Sequence, residues 1–331
     1  MRRRVRQLAM TLLGAGLGAL FGWLAIRGID WAEVRQSLAG FSVFLLAGAI
    51  GLLLTSSYLR ALRWRLLWTN TRVSALRLFW IENAALGLNN ITPVRAMDEP
   101  LEFGILTVRD RLPGGSVIAT MMMCRVQDLA FTILFLLVAV ILLPPVRQFS
   151  PAIVPIALFF LGWLVVLLNL GRLVRRFPRL RRIPGVLSFE QAVSALWARR
   201  RRMATVFLAT VSYWLLLAPV GAVVAHGLAS EIPFHQMVVT VLGGIFFSTA
   251  VPGLPGAVGT FEFAMVSLLG LWGIEKEVAV TFAIIMHVVL FLTPTAFTIV
   301  VLPWEGVASI GRLRSLIQRW HQAQMEKIPD T

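Results

Sequence analysis

Two apolar stretches of the chain are interrupted halfway by proline, glycine and charged residues, and this pattern limits the possible folds most strongly. The first interruption is Gly87–Phe103 and the second is Val251–Phe263. Backbone that is not helical at the depth of a membrane leaves amide and carbonyl groups without partners, so it persists only inside protein or beside a wet cavity. Two broken segments in corresponding halves of a membrane protein indicate a transport site.

The composition is that of a membrane protein. Hydrophobic residues make up 58% of the chain and charged residues 14%, whereas soluble domains have about 45–50% and about 25%. We therefore predict an all-α polytopic membrane protein with a single integral domain over residues 1–331. Cys124 is the only cysteine, so no internal disulfide can form. The spacing of histidines and cysteine indicates no metal site, and no cofactor is predicted.

Six apolar runs are long enough to cross about 30 Å of hydrocarbon. The predicted spans are Leu8–Ile26, Ser42–Leu59, Val117–Leu143, Ala152–Leu170, Ala204–His226 and Val278–Val301. The first run could also be a secretory signal, but Trp23 and the absence of a clear cleavage site favour an uncleaved helix.

Two re-entrant hairpins are predicted between these spans, at Leu78–Val108 and Gln236–Gly273. The helical arms of the second hairpin, Gln236–Val251 and Thr260–Gly273, would be only about 24 and 21 Å long. Both arms are too short for a comfortable crossing. If each hairpin were instead two tilted crossings, the chain would still return to the side that it left, and the topology would be the same.

Charge fixes the predicted orientation. With both termini in the cytoplasm, 25 of the 31 Lys and Arg residues lie on the cytoplasmic side, ten of them in the loop 172–202. This asymmetry is typical of cytoplasmic loops, so the net charge of +15 indicates membrane topology and not nucleic-acid binding. We expect a multi-pass protein of the bacterial cytoplasmic (inner) membrane, with anionic lipids at its cytoplasmic surface.

The two halves of this topology, about 1–147 and 148–305, run through the membrane in opposite directions. Such inverted repeats are typical of transporters whose substrate binds near the midplane, where the broken elements meet. The alternative is a duplicated structural scaffold. Residues 306–331 are predicted to form a cytoplasmic amphipathic tail, because Val307, Ile310, Leu313, Ile317 and Trp320 recur at helical spacing between arginines.

Charged side chains at membrane depth are functional candidates because hydrocarbon disfavours them. Arg125 and Asp128 lie three residues apart on one helical face and can pair, either as a structural ion pair or as a phosphate site in which Asp128 orients Arg125. Glu262 follows the second break, where it can cap a helix, bind a headgroup amine or carry a proton. His287 is interpreted as a hydrogen-bonded packing residue.

Four sequence motifs resemble the transmembrane region of lysylphosphatidylglycerol synthases, a family also described as flippase-like. They are Arg60-Ala-Leu-Arg63-Trp64-Arg65, Asn90-x-x-Pro93-x-Arg95 leading to Glu99, Arg125-Val-Gln-Asp128, and Pro252-Gly-Leu-Pro255-Gly256-Ala-Val-Gly259-Thr-Phe-Glu262. The resemblance implies movement of lipids between leaflets. Glu102 stands where the family usually has arginine and Asp98 where it usually has glycine, so the first hairpin is unusually acidic and disfavours an anionic headgroup.

The predicted function is that of a lipid translocase in which a headgroup crosses through a midplane groove between the two hairpins. The sequence contains no nucleotide-binding motif, so we expect a gradient or mass action to drive transport. Its partners would be headgroup-bearing lipids, zwitterionic or cationic, and a homo-oligomer is compatible with the sequence. The predicted site residues are Asn90, Pro93, Arg95, Asp98, Glu99, Glu102, Arg125, Asp128, Pro252, Pro255, Gly256, Gly259 and Glu262.

Two alternatives belong to other classes. One is a membrane-embedded transferase acting on a lipid-linked substrate, in which Asp98, Glu99 and Glu102 could hold a divalent cation. The other is a non-catalytic scaffold of an envelope-lipid pathway. We found no catalytic motif, and the prediction is that the protein is not an enzyme.

The charge distribution predicts that the two hairpin turns are reached from opposite sides of the membrane. In a variant without Cys124, single cysteines at Asn89–Asn90 should react with an impermeant thiol reagent from the cytoplasmic side, and those at Gly253–Gly256 from the outer side. Labelling of both turns from the same face would contradict the inverted repeat.

Overall fold

A computed structural model describes residues 2–68, 73–92, 97–148, 150–177, 200–251 and 253–306. These residues are almost entirely helical and include no strand, which confirms the predicted all-α class. Most of the arginine loop 172–202 and residues 307–331 of the predicted tail lie outside the described residues. So do three predicted site residues, Pro93, Arg95 and Pro252.

The helices follow one another with short connections. In chain order they are α1 Arg2–Ile26, α2 Trp31–Gly40, α3 Val43–Leu67, α4 Ala75–Ile91, α5 Asp98–Gly104, α6 Gly114–Leu142, α7 Pro144–Arg147, α8 Ser150–Leu168, α9 Leu170–Arg176, α10 Arg200–Leu215, α11 Leu217–Gly227, α12 Phe234–Ala250, α13 Thr260–Leu271, α14 Lys276–His287 and α15 Thr293–Trp304. Two π-helical turns, Ile105–Arg109 and Val288–Leu292, interrupt this series, and a short 3₁₀ turn lies at Pro255–Ala257.

Four described stretches are long and apolar enough to cross a membrane, and they coincide with the second, third, fifth and sixth predicted spans. They are Val43–Leu67, Gly114–Leu142, Arg201–Gly227 and Lys276–Trp304. A fifth candidate is the pair Leu12–Ile26 and Trp31–Gly40, which bends by 88°. The predicted fourth span forms helix α8, whose apolar part, Ile153–Val166, is shorter. The number of six spans stays a prediction.

The chain divides into two compact units that alternate along the sequence. The first unit contains the described residues of Met1–Ser57, Trp80–Leu101 and Tyr213–Ala308. The second contains those of Tyr58–Phe79, Glu102–Ser212 and Ser309–Thr331. These units do not coincide with the predicted repeats 1–147 and 148–305, and the inverted repeat stays a prediction.

In the second unit, the end of α3 is fastened to α6 by two polar side chains. Arg63 donates to the Asp128 carboxylate over 2.6 Å and to the Cys124 carbonyl over 3.4 Å. One residue later, the Trp64 indole N–H donates to the Thr120 hydroxyl over 3.0 Å. The three α6 residues are four apart and share one helical face. The motif that begins at Arg60 therefore contributes to helix packing.

The structure gives Asp128 a partner that the sequence analysis did not predict. Arg125 was expected to pair with Asp128 because of its spacing on α6, whereas the contact at 2.6 Å comes from Arg63, 65 residues earlier. The Arg63 side chain is only 3% exposed, so the Asp128 carboxylate compensates a charge that water scarcely reaches. A pairing of Arg125 with Asp128 stays a prediction.

A second ion pair in this unit is more exposed. Arg77 donates to both carboxylate oxygens of Asp110, over 3.0 and 2.9 Å, and the two side chains are 27% and 23% exposed. Asp110 directly follows the π-helical turn Ile105–Arg109, so the pair holds the end of the first broken segment to the start of α4.

We expect the free energy of unfolding to respond differently when the carboxylate of each ion pair is replaced by an amide. Asp128→Asn should lower the free energy of unfolding by about 3 kcal/mol, because it leaves the Arg63 charge buried without its carboxylate. Asp110→Asn should lower it by about 1 kcal/mol or less, because water solvates Arg77. Denaturant unfolding in mixed micelles would measure both.

The double variant Arg63→Met/Asp128→Leu provides the control for this prediction. Replacing both buried partners by apolar side chains of similar volume should recover most of the stability that Asp128→Asn loses. Equal losses for Asp128→Asn and Asp110→Asn would contradict the assignment of Arg63–Asp128 as the buried pair.

Candidate functional site

The second broken segment folds as a helical hairpin, with α12 and α13 packed side by side in opposite directions. At the open end, the Trp272 indole N–H donates to the Thr240 hydroxyl over 3.0 Å. Further along, Gly244 lies against the Met265 side chain. The helix, break and helix predicted at Gln236–Gly273 are thus present, whereas re-entry into a membrane stays a prediction.

The break has an unusual backbone that only a few residue types adopt easily. Gly256 and Gly259 have φ angles of +69° and +86°, which glycine adopts without steric penalty. Ala257, between them, has φ +65°, a conformation that disfavours a residue with a Cβ. Such strain persists only where the surrounding structure imposes it, and it is concentrated at functional sites.

Helix α1 lies directly on this break through a face of glycines. Gly14 meets Gly253, and Gly18 meets Leu254. A Cβ on Gly259 would overlap the carbonyl oxygen of Gly18. Glycines spaced four residues apart allow such close approach of backbones in membrane proteins. The sequence analysis missed this contact, although the spacing Gly14, Gly18, Gly22 is a visible signal.

Glu262 holds two elements of the site with its two carboxylate oxygens. Oε2 accepts the backbone N–H of Gly259 over 2.6 Å and so caps the start of α13. Oε1 lies 2.5 Å from Nδ1 of His287 on α14. Both side chains are half-buried, 18% and 19% exposed. Glu262 therefore caps α13, which is one of the roles predicted from the sequence. Its contact with His287 was not predicted.

His287 directly precedes the π-helical turn Val288–Leu292. The Asn90 amide, at the end of α4, donates to the Phe291 carbonyl of this turn over 3.0 Å. The His287 and Phe291 rings stack with centroids 4.4 Å apart, and the buried Phe261 ring meets both edge to face. π-helical turns within helices are frequent at functional sites, and this one is held by the first broken segment.

The two broken segments meet at Gly256. A Cβ atom placed on Gly256 would lie 3.6 Å from the Asn90 carbonyl oxygen and 3.8 Å from Nε2 of His287. We call Asn90, Gly256, Gly259, Glu262 and His287 the break cluster. Its members come from three separate parts of the sequence and all belong to the first unit.

The other predicted site residues are distributed over both units. Asp98 and Glu99 begin α5 in the first unit, where the Met97 N–H donates to the Asn89 side chain over 3.2 Å. Pro255 begins the 3₁₀ turn of the break. Glu102, Arg125 and Asp128 belong to the second unit. Within the described ranges, no three His, Cys, Asp or Glu side chains are grouped as metal ligands would be.

The glycines of the break should differ in their response to alanine. Gly259→Ala should lower the free energy of unfolding by about 3 kcal/mol or more, because strain adds to overlap with Gly18. Gly256→Ala should lower it by only about 1–2 kcal/mol, since its Cβ would have ordinary contacts. Denaturant unfolding would measure both.

Gly270→Ala is the matched control for these variants, because Gly270 lies within α13 with open space around it. This substitution should leave stability unchanged or raise it by up to about 1 kcal/mol. If Gly259→Ala is as stable as Gly270→Ala, α1 does not lie against the break.

Comparison with known proteins supports the predicted family. The family model described as "Lysylphosphatidylglycerol synthase TM region" matches residues 11–297 and so includes both broken segments and the whole break cluster. A search of curated proteins found no match. The match to the family model extends over most of the chain. The chain therefore belongs to the family of lysylphosphatidylglycerol synthase transmembrane regions and is a membrane protein tied to lipid metabolism.

Proposed function

We propose that this protein is a flippase-like lipid translocase that moves a headgroup between leaflets along the break cluster. The observation that carries the proposal is the meeting of the two broken segments, where Gly256 faces the Asn90 carbonyl oxygen. In transporters, broken helices bring backbone polar groups and helix ends to the substrate near the bilayer midplane.

The break cluster supplies polar groups in an otherwise apolar part of the chain. A carboxylate, an imidazole and an amide lie there together with backbone that is not helical. Charged groups at membrane depth are disfavoured unless they face a partner or a wet cavity. A headgroup that moves past this cluster would exchange its water for these groups, while its acyl chains stay in the lipid.

The charge of the cluster favours a zwitterionic or cationic headgroup. Glu262 contributes a carboxylate, and the first broken segment adds Asp98 and Glu99 within the same unit. An amine or ammonium group is attracted by carboxylates at short range, most strongly where water is scarce.

The direct test is exchange of fluorescent lipids between leaflets of reconstituted vesicles. The impermeant quencher bleaches the label in the outer leaflet at once. Wild-type protein should then bring label from the inner leaflet to the quencher faster than occurs in empty vesicles. Lipids with zwitterionic, cationic and anionic headgroups should be compared at equal acyl chain length. Turnover of a lipid-linked donor that requires Mg²⁺, without exchange, would favour a transferase instead.

Glu262→Gln is predicted to slow exchange at least tenfold. Glutamine can still accept the Gly259 N–H, so the cap of α13 is retained, whereas the charge is lost. The control is Asp110→Asn, because Asp110 is far from Glu262 in sequence and belongs to the exposed ion pair. This variant should exchange lipid at the wild-type rate. Thermal stability measured on the same samples separates a loss of transport from a loss of folding.

If Glu262→Gln exchanges lipid normally while its stability falls by about 1 kcal/mol, the carboxylate is only a helix cap. The same substitution at Glu99 tests the first broken segment. Normal exchange by both glutamine variants would contradict the assignment of the break cluster as the transport path.

A further inference from the structure

The pair Glu262–His287 has the geometry of a site that binds one proton. One carboxylate oxygen is committed to the Gly259 N–H, and the other lies 2.5 Å from Nδ1 of His287. The second imidazole nitrogen, Nε2, is directed toward the break, 3.8 Å from the position of a Cβ on Gly256. The imidazole therefore joins the carboxylate on one side and the meeting point of the broken segments on the other.

We propose that Glu262 and His287 take up and release one proton during each lipid movement, so that a proton gradient drives transport. This inference rests on the proposed function and adds its energy source. Histidine is suited to the role because its charge changes near neutral pH. The negative charge of Glu262 beside Nδ1 favours the tautomer that carries its proton there, so that the exchanging proton is the one on Nε2.

The proton balance is simple. When the imidazole is neutral and carries its proton on Nδ1, beside the Glu262 carboxylate, Nε2 carries a lone pair and the pair has a charge of −1. A proton arriving from water forms an N–H bond at Nε2, and the pair becomes an ion pair without net charge. Release returns this proton to water on the other side. No bond between heavy atoms forms or breaks, and nothing is oxidised or reduced.

The contacts of the pair connect this change of charge to the rest of the site. Glu262 holds Gly259, and Gly259 lies directly against Gly18 of α1. His287 begins the π-helical turn whose Phe291 carbonyl is bound by Asn90. A stronger attraction between imidazolium and carboxylate therefore acts on α1, on α13 and on the first broken segment together.

Other charged groups lie on the elements around the pair. The Glu262 carboxylate itself contacts Nδ1 of His287 and the backbone N–H of Gly259. Among described side chains, the titratable or charged groups on or beside the neighbouring elements are Arg27 and Asp30 between α1 and α2, Glu33 and Arg35 on α2, Glu82 on α4, His226 on α11, Glu231 before α12, His235 on α12, Glu275 before α14, Lys276 and Glu277 on α14, Glu305 after α15, and Asp98 and Glu99 on α5.

Most of these groups lie at distant ends of their helices. Glu277 is ten residues from His287, about 15 Å along α14, and Glu82 is eight residues before Asn90, about 12 Å along α4. His235 lies at the open end of the hairpin, away from the break. Of the charged residues named, Asp98 and Glu99 are on the broken segment that meets the cluster.

The test measures lipid exchange and internal pH together in the reconstituted vesicles. With wild-type protein, a gradient of one pH unit should change the exchange rate at least threefold relative to equal pH, and a protonophore should abolish the difference. A dye in the lumen should report proton movement that depends on the transported lipid. His287→Asn keeps a donor near the position of Nδ1 but cannot take up a proton, so its exchange should not respond to the gradient.

His235→Asn is the matched control, because His235 is an exposed histidine at the other end of the same hairpin. This variant should retain the wild-type response. If wild-type protein exchanges lipid with neither a gradient response nor proton movement, the proton site is wrong while the proposed translocase stands. A wild-type gradient response in His287→Asn would equally overturn the proposal.

A second measurement decides the proton site if no lipid is exchanged at all. The chain has four histidines, so selective ¹⁵N labelling gives four imidazole signals, and His287→Asn assigns the relevant one. The His287 signal should change when the sample is taken from about pH 8 to about pH 5, and Glu262→Gln should alter that change. An imidazole that keeps one protonation state over this range would overturn the proposal independently of transport.

Discussion

The backbone of the second break has to satisfy its polar groups where helical hydrogen bonds are missing, and the arrangement of the first unit depends on this constraint. Glu262 accepts the N–H of Gly259, and Ala257 donates to the Leu254 carbonyl over 3.0 Å. Helix α1 then covers the break, because Gly18 and Gly259 have no side chains to keep the two backbones apart. In the proposed membrane position, this cover keeps the non-helical backbone of the break away from lipid, where polar backbone groups are not tolerated.

The Glu262 carboxylate has a structural role and a chemical one. As a cap it fixes the start of α13, and it also lies against the imidazole of His287. The first broken segment is held by similar means, since the Asn90 amide binds a carbonyl of the π-helical turn. The elements that stabilise the break are thus the ones that a passing headgroup or proton would disturb.

The sequence predicted the helical class, four of the long spans and the position of the second break, because apolar runs and Pro-Gly interruptions are local signals. It did not predict the partners of the charged residues. Spacing indicated that Arg125 can pair with Asp128, which stays a prediction, but it carried no signal for the contact between Asp128 and Arg63. His287 was expected to pack with a hydrogen bond, but nothing local indicates that Glu262, 25 residues earlier, lies against it. Such pairings depend on how helices pack, and a single sequence carries no direct signal for this.

The alternation of the two units along the chain has a consequence for biosynthesis. The glycine face of α1 leaves the ribosome early, but its partners at Gly253–Gly259 follow about 240 residues later, which takes on the order of ten seconds or more at typical rates of synthesis. During this interval the first helix is in the membrane without the surface that it will cover. The nascent first unit therefore depends on the insertion machinery, or on lipid packing against its glycines, until the last third of the protein has been made.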